Sequence, residues 1–146
     1  MKKLMVIATA FLFLGLSTAR ADQDIPIQVS QLPVAAQEFI KQYFPNEKVS
    51  YAKEERDLME TTYEVIFTNS TKVEFSRNGD WREVDCRYSL VPAALVPAEI
   101  TSYLNASFPD MSVVSIEKGR YGYEVKITNG LEITFDSKFN VVEIDD

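Results

Sequence analysis

Between residues 33 and 44, apolar side chains fall at Ala36, Phe39, Ile40, Tyr43 and Phe44, the spacing of one helical face. Prolines bracket the stretch: Pro33 suits the first helical position, where its missing N–H costs nothing, and Pro45 blocks continuation. The pattern predicts a helix over about 33–44. A second is predicted after Val96-Pro97, from Ile100, Tyr103, Leu104 and Phe108, and is closed by Pro109. Elsewhere the period drops to two. Alternation predicts strands over about 48–54, 61–68, 71–77 and 80–86, then 112–118, 121–128, 131–136 and 140–145. Asn129-Gly130 predicts a two-residue hairpin with positive φ at both central positions. Asn69-Ser70 is its weaker counterpart, and Asn78-Gly79 marks a further hairpin. Residues 54–60 read as a charged loop, matched by the shorter Gly119–Gly122 turn.

The two halves of this pattern match. Leu32-Pro33 to Phe44-Pro45 recurs as Val96-Pro97 to Phe108-Pro109, and Tyr63-Glu64-Val65 recurs as Tyr123-Glu124-Val125. Thr68-Asn69-Ser70 returns as Thr128-Asn129-Gly130, Phe75 as Phe135, and Glu83-Val84-Asp85 as Glu143-Ile144-Asp145. The spacing changes between the helices and the strands, so four residues are missing from one turn of the second copy. An internal repeat of this kind sets the architecture. Each copy reads as a helix followed by four short strands, over 32–86 and 96–146, with a Pro/Ala linker at 87–95. About 55 residues hold little core of their own, and joining the sheets edge to edge hides one open edge of each. The expected fold is therefore α+β: a tandem αβ4 repeat forming one eight-stranded antiparallel sheet with two helices on one face.

Alternation also assigns faces. Tyr63, Val65, Phe67, Val73 and Phe75 should face the helices, as should Tyr123, Val125, Ile127, Leu131, Ile133 and Phe135. The other face should carry Glu64, Glu74, Glu83, Asp85, Glu124, Glu132, Glu143 and Asp145, and a one-residue slip would invert the assignment.

The first 21 residues resemble a secretory signal peptide: Lys2 and Lys3, an apolar run from Leu4 to Leu16, and the small-x-small site Ala19-Arg20-Ala21. The run is too short to span a bilayer, so no membrane span is expected once it is removed. Residues 22–31 read as a polar lead-in. Of 15 Lys+Arg, Lys2, Lys3 and Arg20 leave with the signal; 12 remain against 22 Asp+Glu, a net charge of −10. That balance argues against nucleic acid and anionic membranes. Cys86 is the single cysteine, so no intramolecular disulfide can form, and a thiol packed at a strand end is expected.

The sequence Leu-Pro, apolar helix, Phe-Pro, then Tyr-Glu-Val, Phe and Trp-Arg-Glu-Val-Asp resembles the PepSY-like domains of Bacteroidetes periplasmic proteins. That family is also called beta-lactamase-inhibitor-like. The resemblance runs from about Leu32 to Asp146. It implies two αβ4 units, a curved sheet with helices on its convex side, and an exported, non-enzymatic protein of the periplasm. The PepSY connection also suggests a regulator of a peptidase. The inhibitor's disulfide-stapled loops need cysteines that this chain lacks, so no inhibitory residue carries over.

The residues themselves exclude much chemistry. There is no histidine, which removes Ser–His and Cys–His activation and His-ligated zinc. The five glycines are scattered at turns and form no phosphate loop. No enzyme is expected. A protein or peptide partner is, held by the open sheet face with the sole tryptophan, Trp81, as anchor. Alternation places Trp81 on that face with Ile66, Glu64, Glu74, Lys126 and Thr134. The carboxylates also suggest calcium, with Glu83, Asp85, Glu143 and Asp145 as candidate ligands, although none matches the EF-hand spacing.

Overall fold

The structure, a computed structural model, describes residues 23–146. The proposed signal peptide lies outside them. Nine strands form a single antiparallel sheet in chain order: β1 (Gln23–Pro26), β2 (Val49–Arg56), β3 (Thr61–Phe67), β4 (Lys72–Ser76), β5 (Trp81–Asp85), β6 (Val113–Gly119), β7 (Gly122–Ile127), β8 (Glu132–Asp136) and β9 (Val141–Asp145). Helix α1 (Val34–Tyr43) precedes β2, and α2 (Ala98–Ser107) precedes β6. The count of eight strands is therefore corrected to nine. The added strand, β1, lies within the polar lead-in and pairs Gln23 with Arg56 and Pro26 with Lys53 on β2. It carries no apolar alternation because it lies at the sheet edge with little burial, so no periodic signal marks it.

Both helices lie on one side of the sheet. Ala52, Val65, Val73, Val84, Ile116, Val125 and Ile133 are successive cross-strand partners from β2 to β8, and all are buried. Phe75 lies two residues from Val73, and Phe135 two residues from Ile133, so both share that face. Phe39 of α1 meets Phe75 edge-on at 5.4 Å, and Tyr103 of α2 meets Phe135 edge-on at 5.4 Å. One core therefore runs beneath both helices and crosses the β5–β6 junction. The linker joins it through buried Val91 and Leu95 and is tied to β6 by Val91 N–H donating to the Val113 carbonyl at 2.9 Å. Cys86 is fully buried and free.

The hairpins correct one expectation. Gly130 has φ +91°, while Asn129 is not left-handed. Gly130 N–H donates to the Ile127 carbonyl, and Ile127 N–H donates to the Leu131 carbonyl. The loop thus has three residues, a tight turn closed by one left-handed residue. Asn129 contributes through its side chain, whose Oδ1 accepts from Leu131 N–H at 3.0 Å. The same pattern recurs with Ser70, Gly79 and Phe139 at φ 70°, 88° and 63°.

Four strand pairings carry register shifts. Two matter here: Glu74 pairs with Glu83 but Phe75 with Trp81, and Thr134 pairs with Glu143 but Phe135 with Val141. In each case one residue, Arg82 or Val142, is inserted as a β-bulge.

Candidate functional site

The face away from the helices is acidic. Lys53, Glu64, Glu74, Glu83, Glu117, Glu124, Thr134 and Glu143 are successive cross-strand partners from β2 to β9. Six glutamates therefore share one row. The neighbouring row, two residues along each strand, runs Tyr51, Ile66, Lys72, Asp85, Ser115, Lys126, Glu132 and Asp145. All eight carboxylates assigned to this face from alternation lie on it, as do Ile66, Lys126 and Thr134. Glu117 was missed, although its two-residue spacing from Ser115 on β6 carried the signal.

Like charges set directly opposite one another repel. Three lysines offset part of this: Lys53 contacts Glu55 and lies 3.7 Å from Glu64, Lys72 lies 3.3 Å from Glu83, and Lys126 lies 3.0 Å from Glu132. The hydrogen bond to Glu55 leads in holding Lys53 above the usual lysine range. Glu74 has no such partner within 4 Å among the described residues. Its burial, and then the charges of Glu83 and Glu55, push its carboxyl up from the ordinary value. Burial does the same to Glu124, with Glu132, Glu117 and Glu143 adding.

Trp81 is not on this face. The bulge at Arg82 resets the alternation, so Trp81 stands opposite Phe75 on the helix side and lies 6.3 Å from the Phe39 ring of α1. The Lys118 ammonium sits 4.5 Å from its ring centroid. Strict alternation back from Val84 fails because it counts the bulged residue as a normal step.

Trp81 nonetheless reaches a cleft. β5 and β6 pair only over Glu83–Glu117, Val84–Ile116 and Asp85–Ser115. Beyond Glu83 they part, toward the end of the sheet that carries the β4–β5 and β6–β7 turns. The gap measures about 820 Å³, and Glu74, Ser76, Trp81, Glu83, Glu117 and Lys118 are among its lining. A smaller hollow of about 170 Å³ on the acidic face adjoins it through Glu83 and Glu117 and extends to Glu124, Lys126 and Glu132.

The proposed calcium ligands are not brought together. Glu83 and Asp85 lie on β5 and Glu143 and Asp145 on β9, with three strands between, roughly 19 Å at the usual strand spacing. Among the described residues no group of three or more Asp, Glu or Cys side chains is arranged to hold a metal.

The family described as "Putative beta-lactamase-inhibitor-like, PepSY-like" matches residues 61–143. The chain belongs to this PepSY-like family. Three solved structures are similar over nearly all of the described residues. One, described as a "putative periplasmic protein" of the DUF2874 family from Bacteroides vulgatus, is 52% identical with a TM-score of 0.83, covering 86% of this chain and 99% of its own. A "putative calcium-regulated periplasmic protein" from Bacteroides thetaiotaomicron is 51% identical, with a TM-score of 0.83 and the same coverage. A "putative periplasmic protein of unknown function" from B. vulgatus is 37% identical, with a TM-score of 0.81, covering 85% of this chain and 100% of its own. No curated protein is similar at a significant level. This PepSY-like chain is thus a periplasmic protein, and neither the family nor these relatives are described as enzymes. No helix among the described residues is long and apolar enough to cross a membrane.

Proposed function

We propose that this PepSY-like protein is a non-enzymatic binding module of the periplasm. It recognises a protein or peptide through the sheet face that its helices leave uncovered, and the recognised segment is basic. The observation that carries this reading is the row of six glutamates from β3 to β9. A row of like charges lowers stability, and Glu74 is held partly desolvated in it. An approaching cation relieves both penalties, which is the electrostatic complementarity that gives specificity and on-rate. The absence of histidine and the spread of carboxylates over an open sheet supply no nucleophile–base pair.

The test is binding of fluorescein-labelled peptides to residues 22–146, followed by anisotropy. An alternating Lys-Ala nonapeptide should bind, and its affinity should fall as salt rises from about 50 to 300 mM. A Glu-Ala peptide should not bind. Equal behaviour of the two would defeat the reading.

A second reading, calcium response, is favoured by one specific observation: a relative 51% identical to this chain is described as calcium-regulated. The acidic row offers oxygen ligands of the right kind. Calcium at millimolar concentration should then raise the melting temperature by several degrees, where magnesium and EDTA at equal ionic strength do not. No calcium-specific shift would remove this reading.

A further inference from the structure

The β5–β6 cleft contains more than acidic charge. Glu74, Glu83 and Glu117 are consecutive in the acidic row and all line it. Only Glu83 has an ion-pair partner within 4 Å among the described residues, Lys72. Three basic side chains also line the cleft, and each is already engaged. Arg82 is bound to Glu60, the Lys118 ammonium lies over Trp81, and the Arg120 guanidinium lies 5.6 Å from the Tyr121 ring. Partly buried Glu74 and exposed Glu117 are left without a basic partner among the described residues.

A second observation is independent of charge. The Ser76 Oγ is buried, has no hydrogen-bond partner, and belongs to a residue lining the same cleft. A buried hydroxyl left unpaired is uncommon and asks for a partner. A third is the indole wall: Trp81 borders this cleft and also the hollow beside α1, with Lys118 at both. Carboxylate acceptors, a spare hydroxyl and an aromatic wall together suit a planar guanidinium. Its fork of donors can serve two oxygens at once while its face stacks on a ring.

The geometry points to the β5–β6 cleft as the receptor for one arginine side chain of the basic segment bound along the acidic face. Glu74 and Glu117 would take its donors, and Trp81 would form its wall, the guanidinium displacing the Lys118 ammonium from the indole. This rests on the binding reading above and names its selective position. The adjoining hollow over Glu83 and Glu117 gives the rest of the segment a path along the sheet.

Trp81 is the only tryptophan, so tryptophan emission reports this one wall of the cleft and no other site. The probes are two alternating Lys-Ala nonapeptides, acetylated and amidated, one with arginine and one with the neutral isostere citrulline at the centre. The arginine peptide should bind about tenfold more tightly, the scale of one hydrogen-bonded charge, and should alter Trp81 emission. Glu117→Gln should abolish the preference. Glu143→Gln, in the same row but three strands away, should weaken both peptides alike, and Glu99→Gln on α2 should leave both unchanged. If both peptides bind equally and Trp81 emission does not respond, the cleft assignment falls while the acidic-face reading stands. If neither peptide binds, both fall. If Glu143→Gln erases the arginine preference as fully as Glu117→Gln, the selectivity belongs to the whole face and not to the cleft.

Discussion

Gly79 and Gly130 occupy equivalent hairpin positions and have nearly the same backbone, φ +88° and +91°. Replacing each by alanine separates two effects that usually come together. The left-handed conformation costs an L-residue about 1–2 kcal/mol, and the stiffer unfolded chain returns about 0.4–1 kcal/mol. At Gly130 nothing lies within 4 Å of an added Cβ, so Gly130→Ala should destabilise by about 1 kcal/mol through the backbone alone. At Gly79 the new Cβ would lie 2.9 Å from the Ala36 backbone nitrogen, 2.9 Å from Pro33 Cβ and 3.1 Å from Ala35 Cβ. The first of these is the backbone of α1, which cannot give way without moving the helix. An overpacking penalty of about 1–3 kcal/mol then adds to the backbone term, for a total of about 2–4 kcal/mol. Urea unfolding of residues 22–146, followed by circular dichroism, measures both values. Because the Gly79 turn leads directly into Trp81, Gly79→Ala should also shift the native tryptophan emission, which Gly130→Ala should not. Equal destabilisation by the two substitutions would refute the reasoning, since it would mean that the close approach of the β4–β5 turn to α1 carries no weight.

Ser70 holds φ 70° without being glycine, so Ser70→Gly should stabilise by up to about 0.5–1 kcal/mol in the same assay. Phe139→Gly, at φ 63°, should not, because it discards the stacking of Phe139 on Tyr123 at 5.8 Å. The raised carboxyls of Glu74 and Glu124 bind protons more readily folded than unfolded. Stability should therefore rise as pH falls from 7 toward the ordinary glutamate value of 4.5. It should fall again below that, where Glu60, held low by its Arg82 hydrogen bond, and Asp136, held low by the Asn140 N–H, lose their contributions. Glu74→Gln should stabilise by a few tenths to about 1 kcal/mol at pH 7 and flatten the upper window; an unchanged melting profile from pH 7 to 5 would contradict this. The Cys86 thiol is fully buried, and burial pushes its pKa up. It should react with a thiol reagent in denaturant and stay inert in the native protein.

What the sequence determined is local. A helical face between two prolines, period-two runs and Asn/Gly turns are written in neighbouring residues, and they place α1, α2 and β2 to β9 within a few positions of their observed bounds. The two faces of those strands followed from alternation, which is why the acidic row was largely legible. Three features were not. β1 is half of a pairing whose other half, Lys53 to Arg56, lies beyond the whole of α1, and its own side chains are too exposed to carry a pattern. The bulge at Arg82 is decided by strand pairing, because only the partner strand shows that Trp81, and not Arg82, stands opposite Phe75. That single inserted residue moves Trp81 from the acidic face to the helix side. The meeting of Glu83 with Glu117 likewise joins the two halves of the chain, and no local period can announce it. Side-chain direction along one strand is a short-range property of the pleat. Which strands meet, where they part and what the gap collects are settled only when the core closes across both halves.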